Sequence, residues 1–238
     1  MKKILPVFIC AIIAMSCQKE FSEETGTIPT TPTTPTTPGT PGTPANIVCF
    51  ECEYNPICDS TKLVYMDTTF GSASVLTFLY DVLEDTTIAG VANKKVKELN
   101  SGQTAYFSCS NNIVRAFFYS GTTVGGNNIS NITQTPVKAN EPVGATWTDV
   151  INNNGQTIEY RYTIIAKNTT RQVLDSTYSN VIYVRDTTVL IAPGIGEIPS
   201  AVRHSYFAKG IGQVEVNIED ITTGSPGSQR KLKSYKIN

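Results

Sequence analysis

The sequence holds a single histidine, His204, and its one long apolar segment, Ile4 to Ala14, covers only eleven residues. A lone imidazole leaves no histidine pair for a zinc site, which wants a close second pair of ligands. Eleven apolar residues are too few to cross a bilayer as a helix, which takes about 20. No Gly-x-Ser-x-Gly elbow for a hydrolase serine is present. Positive charge is not in excess either. The whole chain carries a net charge of −1, and without residues 1–16 it holds 17 basic against 20 acidic residues, a net −3. That balance is no electrostatic footprint for nucleic acid. No stretch sustains a helical period.

What is present begins with an address. Lys2 and Lys3 precede the apolar segment, and Ala14-Met15-Ser16-Cys17 follows its core. An apolar run of this size suits a signal-peptide core. The pattern resembles a bacterial lipoprotein signal, in which Cys17 is acylated and residues 1–16 are removed, although Ala14 stands where leucine is usual. Gln18-Lys19-Glu20 and Ser22-Glu23-Glu24 resemble the surface-export signal of Bacteroidota lipoproteins, interrupted here by Phe21. The resemblance implies attachment to the outer membrane through the lipid on Cys17, facing the exterior, with the periplasm as the alternative. Several acyl chains, each worth about 0.8 kcal/mol per buried methylene, make a stable anchor without a transmembrane helix.

Residues 17–45 read as a linker. Thr27 to Pro44 is almost entirely Thr, Pro and Gly, with Thr-Thr-Pro repeated three times in succession. Proline at every third position suits a polyproline II rod, and at about 3.1 Å per residue the segment reaches roughly 55 Å. The reading is a spacer that lifts one domain, residues 46–238, off the membrane.

That domain opens on Cys49-x2-Cys52-x5-Cys58, and its fourth cysteine is distant, at Cys109. In an oxidising compartment these four read as two disulfides, one local and one tying the segment to the Cys109 strand. Spacing does not choose among the three connectivities.

From Lys62 onward short strands alternate with turns. Asn111-Asn112 is a hairpin turn, and Asn154-Gly155 is the strongest hairpin signal, since both residues tolerate positive φ. In Thr157 to Ala166, Ile158, Tyr160, Tyr162 and Ile164 alternate with Glu159, Arg161 and Thr163. A period of two means one face is buried and the other is wet. The same pattern continues through Tyr178–Val184, Val202–Ala208 and Gln213–Ile218, and Lys231–Ile237 is a candidate closing strand. The expected fold is all-β and mainly antiparallel, one curled sheet, half-barrel or barrel-like. Ala208-Lys209-Gly210-Ile211-Gly212 reads as a strand whose two glycines let the sheet bend or another backbone come close.

Two motifs carry a family resemblance. Cys52-Glu53-Tyr54-Asn55-Pro56-Ile57-Cys58-Asp59-Ser60, with Tyr206-Phe207-Ala208-Lys209-Gly210-Ile211-Gly212, looks like uncharacterised Bacteroidota outer-membrane lipoproteins. The second motif resembles the Tyr-Tyr-Ala-x-Gly-Val-Gly signature of TapB-like domains. The resemblance implies a curled antiparallel sheet akin to lipoprotein-carrier half-barrels and brings no established activity.

Candidate chemistry is sparse. Five aspartates precede Ser or Thr, at Ser60, Thr68, Thr86, Ser176 and Thr187, a pattern that resembles O-glycosylation acceptors of Bacteroidota envelope proteins. Asp before Thr also suits strand ends and Asx-turns. His204 reads as a structural or surface histidine. Glu219 and Asp220 are adjacent, so on a strand they point to opposite faces and do not flank a bond. Tyr160 and Tyr162 read as a core face or cavity wall. The chain is therefore expected to be non-enzymatic, with no catalytic residue, no metal and no cofactor. Its expected partners are the membrane through the lipid and an apolar small molecule or a surface protein, with no nucleic acid. Alternatives are a structural or adhesive surface protein and, remotely, a hydrolase of envelope polymers.

Overall fold

The computed structural model describes residues 49–69, 72–88, 90–118, 123–124, 127–128, 132–153, 156–221 and 227–237. The signal segment, Cys17, the linker and the Asn154-Gly155 turn lie outside these residues.

The described residues form β-strands and turns, with no helix among them. A short pair, β1 (Cys49–Phe50) and β2 (Ile57–Cys58), opens the domain. There follow β3 (Thr61–Thr69), β4 (Ser72–Ile88), β5 (Val91–Glu98), β6 (Thr104–Ser110) and β7 (Ile113–Phe118). The small pair β8 (Thr123–Val124) and β9 (Asn127–Asn128) precedes β10 (Ile132–Lys138). The chain continues through β11 (Thr146–Asn153), β12 (Gln156–Val173), β13 (Ser176–Ala192), β14 (Gly196–Ala208), β15 (Gly212–Asp220) and β16 (Ser228–Lys236).

Twelve of these strands make one antiparallel sheet in the order β10-β7-β6-β5-β4-β3-β16-β15-β14-β13-β12-β11. It curls until β10 and β11 stand side by side, a barrel with one seam. Full closure is how an antiparallel sheet removes its sticky edges. Here the last step is taken by side chains. The Thr135 backbone N–H and hydroxyl both donate to the Asp149 carboxylate, and the Trp147 indole N–H donates to the Thr135 carbonyl at 2.8 Å.

The strands are longer than the sequence reading placed them. The run Thr157 to Ala166 is the first part of the 18-residue β12, and Tyr178 to Val184 lies within the 17-residue β13. Bulges explain the difference. The β12–β13 register shifts between Ile164 and Ala166, again before Thr169 and again before Arg171, so pairing persists where the simple alternation fails. These shifts bend the hairpin enough for Arg171 to reach Glu215, three strands away in the sheet order, at 2.7 Å.

A second correction concerns Ala208 to Gly212. It is the turn between β14 and β15, not a strand, with Gly210 at φ 76° and Gly212 at φ 103°. Both values lie where a side chain is strained, which is why glycine stands there. The close backbone approach does occur: a Cβ on Gly212 would meet the Tyr54 carbonyl and the Asn55 Cα at 3.8 Å. The Asn111-Asn112 turn is found as read, with φ of 52° and 55°.

The core has two clusters. One joins Val82, Val96, Val114 and Val137 from the first half of the sheet to Tyr162, Ile164, Ile182, Val184 and Phe207 from the second. The N-terminal segment adds Phe50, Cys52, Tyr54 and Ile57 to it, plugging one end of the barrel. The other gathers Tyr65, Leu232, Val214 and Ala208 under the bent end of β12 and β13, through Val173, Tyr178 and Val181.

Candidate functional site

The interior face of β11 to β14 is where the sequence placed its aromatic wall. Register and period two put Val184, Asp186 and Thr188 of β13 on one face, beside Ile164, Tyr162 and Tyr160 of β12 and Ser205, Arg203 and Ala201 of β14. Tyr162 is buried and stacks on Trp147 of β11, with ring centroids 5.1 Å apart. Such a stack adds about 0.5–1.5 kcal/mol beyond the area it buries. The tyrosines are therefore core residues.

Among them lies a feature that strand alternation did not foretell. Asp186 is 2% exposed and accepts from the Arg203 Nε at 2.8 Å, with Tyr160 6.0 Å from the guanidinium. Burial pushes the Asp186 carboxyl above its ordinary range, and the Arg203 charge opposes that push. Losing one member of such a pair strands the other's charge in the interior. Farther round the barrel Arg230 holds Asp67 at 2.9 Å in the same manner. Both aspartates belong to Asp-Thr pairs, Asp67-Thr68 and Asp186-Thr187, and nothing local to those pairs marks the arginine that each meets.

All five candidate acceptors lie within described residues. Ser60 and Ser176 are exposed, while Thr68, Thr86 and Thr187 are half-buried. Four of their aspartates have structural tasks: Asp59 accepts the Val82 N–H, Asp67 and Asp186 hold arginines, and Asp85 pairs with Lys94. Asp175 sits in the turn between β12 and β13.

His204 lies on β14 facing away from Asp186. Its Nδ1 stands 2.6 Å from the Tyr183 hydroxyl, and its Nε2 is 3.5 Å from the exposed Glu219 carboxylate. Tyr183 stacks on Tyr206 at 4.7 Å, and Tyr206 lies 4.0 Å beneath the Arg171 guanidinium, which pairs with the buried Glu215. The bonded neighbour of the imidazole is thus a phenol in an aromatic ladder, not a serine or cysteine nucleophile. Glu219 and Asp220 lie on one strand, β15, as successive residues. Among the described residues, no group of three or more His, Cys, Asp or Glu is placed to hold a metal ion.

The four cysteines organise the plug. Cys49 joins Cys58, and Cys52 joins Cys109 on β6. Around the second bridge the Gly210 N–H donates to the Glu53 carbonyl at 2.6 Å, Lys209 meets the Glu53 carboxylate at 2.8 Å, and Phe50 lies against Phe107 at 5.7 Å. The two sequence motifs, the cysteine-rich opening and the Tyr206 to Gly212 run, therefore meet in space. Among the described residues, two hollows open to solvent flank the plug and the β12–β13 turn. One, of about 370 Å³, lies between the plug and β4 to β6, and the other, of about 360 Å³, is lined by Ser176 to Ser179, Lys209, Ile211 and Tyr235.

No family model matches this chain, including any for TapB-like domains, and no curated protein matches it. Two solved structures are similar in fold. One is a Bacteroides fragilis protein described as exported with a YmcC-like fold, 12% identical, covering 78% of this chain and 99% of its own, with a TM-score of 0.47. The other, from Parabacteroides distasonis and described as a lipoprotein, is 12% identical, covers 79% of this chain and 100% of its own, and has a TM-score of 0.48.

Proposed function

We propose that this protein is a non-enzymatic, lipid-anchored module of the cell envelope that works through its outer surface rather than through an apolar lumen. The filled interior carries this reading. Trp147, Tyr162, Ile164, Ile182, Val184 and Phe207 pack together, and the Asp186–Arg203 pair lies on the same face. A lumen that takes an acyl chain is a largely enclosed apolar space of several hundred cubic ångströms. The hollows beside the plug and beside the β12–β13 turn are open, and each is lined in good part by hydroxyl or charged side chains. The anchor rests on the Cys17 pattern and the linker that follows it. Outer-membrane attachment facing the exterior, and glycans at Ser60 or Ser176, belong to the same reading.

Two measurements test it. The chain from Gln18 to Asn238, secreted and purified, is expected to show one mass under native and denaturing mass spectrometry, apart from covalent glycan. A co-purifying apolar mass lost on denaturation would overturn the filled-lumen reading. The full chain with Cys17→Ala is expected to leave the membrane fraction, and its retention there would overturn the anchor.

A further inference from the structure

Strand β16 reads Ser-Gln-Arg-Lys-Leu-Lys-Ser-Tyr-Lys and contains four basic residues and no acid. Arg230 is used inside the barrel, against Asp67. The other three, Lys231, Lys233 and Lys236, have no carboxylate partner among the described residues, and neither has Lys62 on the neighbouring β3. Elsewhere three lysines meet carboxylates, Lys94 with Asp85, Lys95 with Glu84 and Lys209 with Glu53, while Lys138 lies over the Trp147 ring and Lys167 donates to the Glu141 carbonyl; Lys97 on β5 is exposed and stands apart from the β16 group.

Simple alternation would put Lys231 and Lys236, five apart, on opposite faces. The register shows otherwise. Lys231 stands opposite Met66, Leu232 opposite Tyr65, Ser234 opposite Val64 and Lys236 opposite Lys62, so Lys233 is the extra residue of a bulge. That insertion returns Lys236 to the face of Lys231, with Lys62, Val64 and Met66 across the pair. The buried Tyr65 and Leu232 take the other face. Lys62, Lys233 and Lys236 are exposed. Two like charges directly across an antiparallel pair weaken it. Lys62 and Lys236 hold that arrangement with no counter-ion from the protein.

The stripe also has a direction. Lys62 follows the plug in the chain with only Thr61 between Lys62 and Cys58-Asp59-Ser60, and Lys236 pairs with it. Lys62 and Lys236 therefore stand at the end of the sheet next to residues 49–58.

We propose that Lys62, Lys231, Lys233 and Lys236 form a docking face for an anionic lipid surface, acting as a second membrane contact beside the acyl anchor. The inference rests on the anchored reading for its purpose, but its chemistry is charge complementarity alone. Each lysine close to such a surface contributes about 1 kcal/mol, and the contact fades within a Debye length of about 10 Å at 0.1 M salt.

The test uses the unlipidated chain from Gln18 to Asn238 with phosphatidylcholine vesicles, alone or with about 30 mol% phosphatidylglycerol. It is expected to sediment with the anionic vesicles at about 0.05 M salt, to ignore the neutral ones and to be released by about 0.5 M salt. The variant K62Q/K231Q/K233Q/K236Q should lose at least about tenfold in binding. K94Q/K95Q, which removes paired lysines, should bind as the parent does. The single variant K236E guards against a folding defect, since it gives Lys62 an opposite charge and should weaken binding while keeping the thermal midpoint. Equal binding to both vesicle types, no binding to either, or undiminished binding of the quadruple variant would overturn the proposal. Because this chain carries no lipid, those failures leave the Cys17 anchor to be judged by its own fractionation test.

Discussion

The barrel is closed twice, by different means. At the plug end, Cys52–Cys109 ties residues 49–58 to β6 covalently, and Cys49–Cys58 closes the plug's own loop. Along the side, β10 and β11 meet through Asp149, Trp147 and Thr135 without a backbone ladder between them. A covalent closure acts chiefly on the unfolded chain, by removing conformations it would otherwise explore. A hydrogen-bonded closure acts on the folded state, where each partner left unsatisfied has a local cost. The plug is therefore the place to look for global stability, and the seam the place to look for local opening.

The largest effect is expected from breaking the longer loop. Cys52 and Cys109 are 57 residues apart and Cys49 and Cys58 only 9. Loop-closure entropy assigns about 4.2 kcal/mol to the first bridge and about 2.6 kcal/mol to the second. Denaturant unfolding of Cys52→Ala/Cys109→Ala and Cys49→Ala/Cys58→Ala should reproduce that order. A reversed order would mean that the native plug, not the unfolded chain, carries the difference.

At the seam, Asp149→Ala removes the acceptor of both the Thr135 N–H and its hydroxyl. The expected loss is about 1–3 kcal/mol, the cost of leaving a buried donor unsatisfied. Hydrogen exchange should rise first in β10 and β11 and leave β13 and β14 protected. Uniform acceleration across the sheet would show that the seam has no local opening of its own.

A smaller effect, dependent on pH, is expected at the turn between β5 and β6. Burial would raise the Glu98 carboxyl, but the Ser101 side chain and the backbone N–H groups of Ser101, Asn100 and Leu79 hold it below its usual range. A folded value below the unfolded one means that its contribution is complete above the unfolded carboxylate value of about 4.3 and is lost as pH falls through the folded value. Thermal midpoints of the parent and Glu98→Gln should differ at neutral pH and converge in acid. A gap that stays constant with pH would sink the assignment. The smallest effect belongs to the exposed Arg161–Glu197 pair, bonded at 2.8 Å and 2.9 Å. Glu197→Gln should leave the thermal midpoint unchanged, since solvent and salt screen such pairs.

Much of the architecture is legible in the sequence. Period two in Ile158, Tyr160, Tyr162 and Ile164 named a buried face, and Asn111-Asn112 named a turn, because side-chain direction and φ preference are local properties. What escaped was non-local. Bulges at Ile164 to Arg171 and at Lys233 change which face a residue takes, and no run of letters marks them. Asp186 and Arg203 are 17 residues apart and met only through strand register. Ala208 to Gly212 reads locally as a strand because the residues that need its close approach, Glu53 to Asn55, lie about 157 positions earlier.

By itself, then, the sequence determined the all-β class, the hydrophobic alternation and the set of four cysteines available for bridging, since composition and short-range sterics are enough for each. Tertiary structure decided the partners: which cysteine joins which, which aspartate meets which arginine, and which lysines share a face. Those depend on register and closure across the barrel, where groups far apart in the chain are brought within a few ångströms and the energy of each choice belongs to the pair.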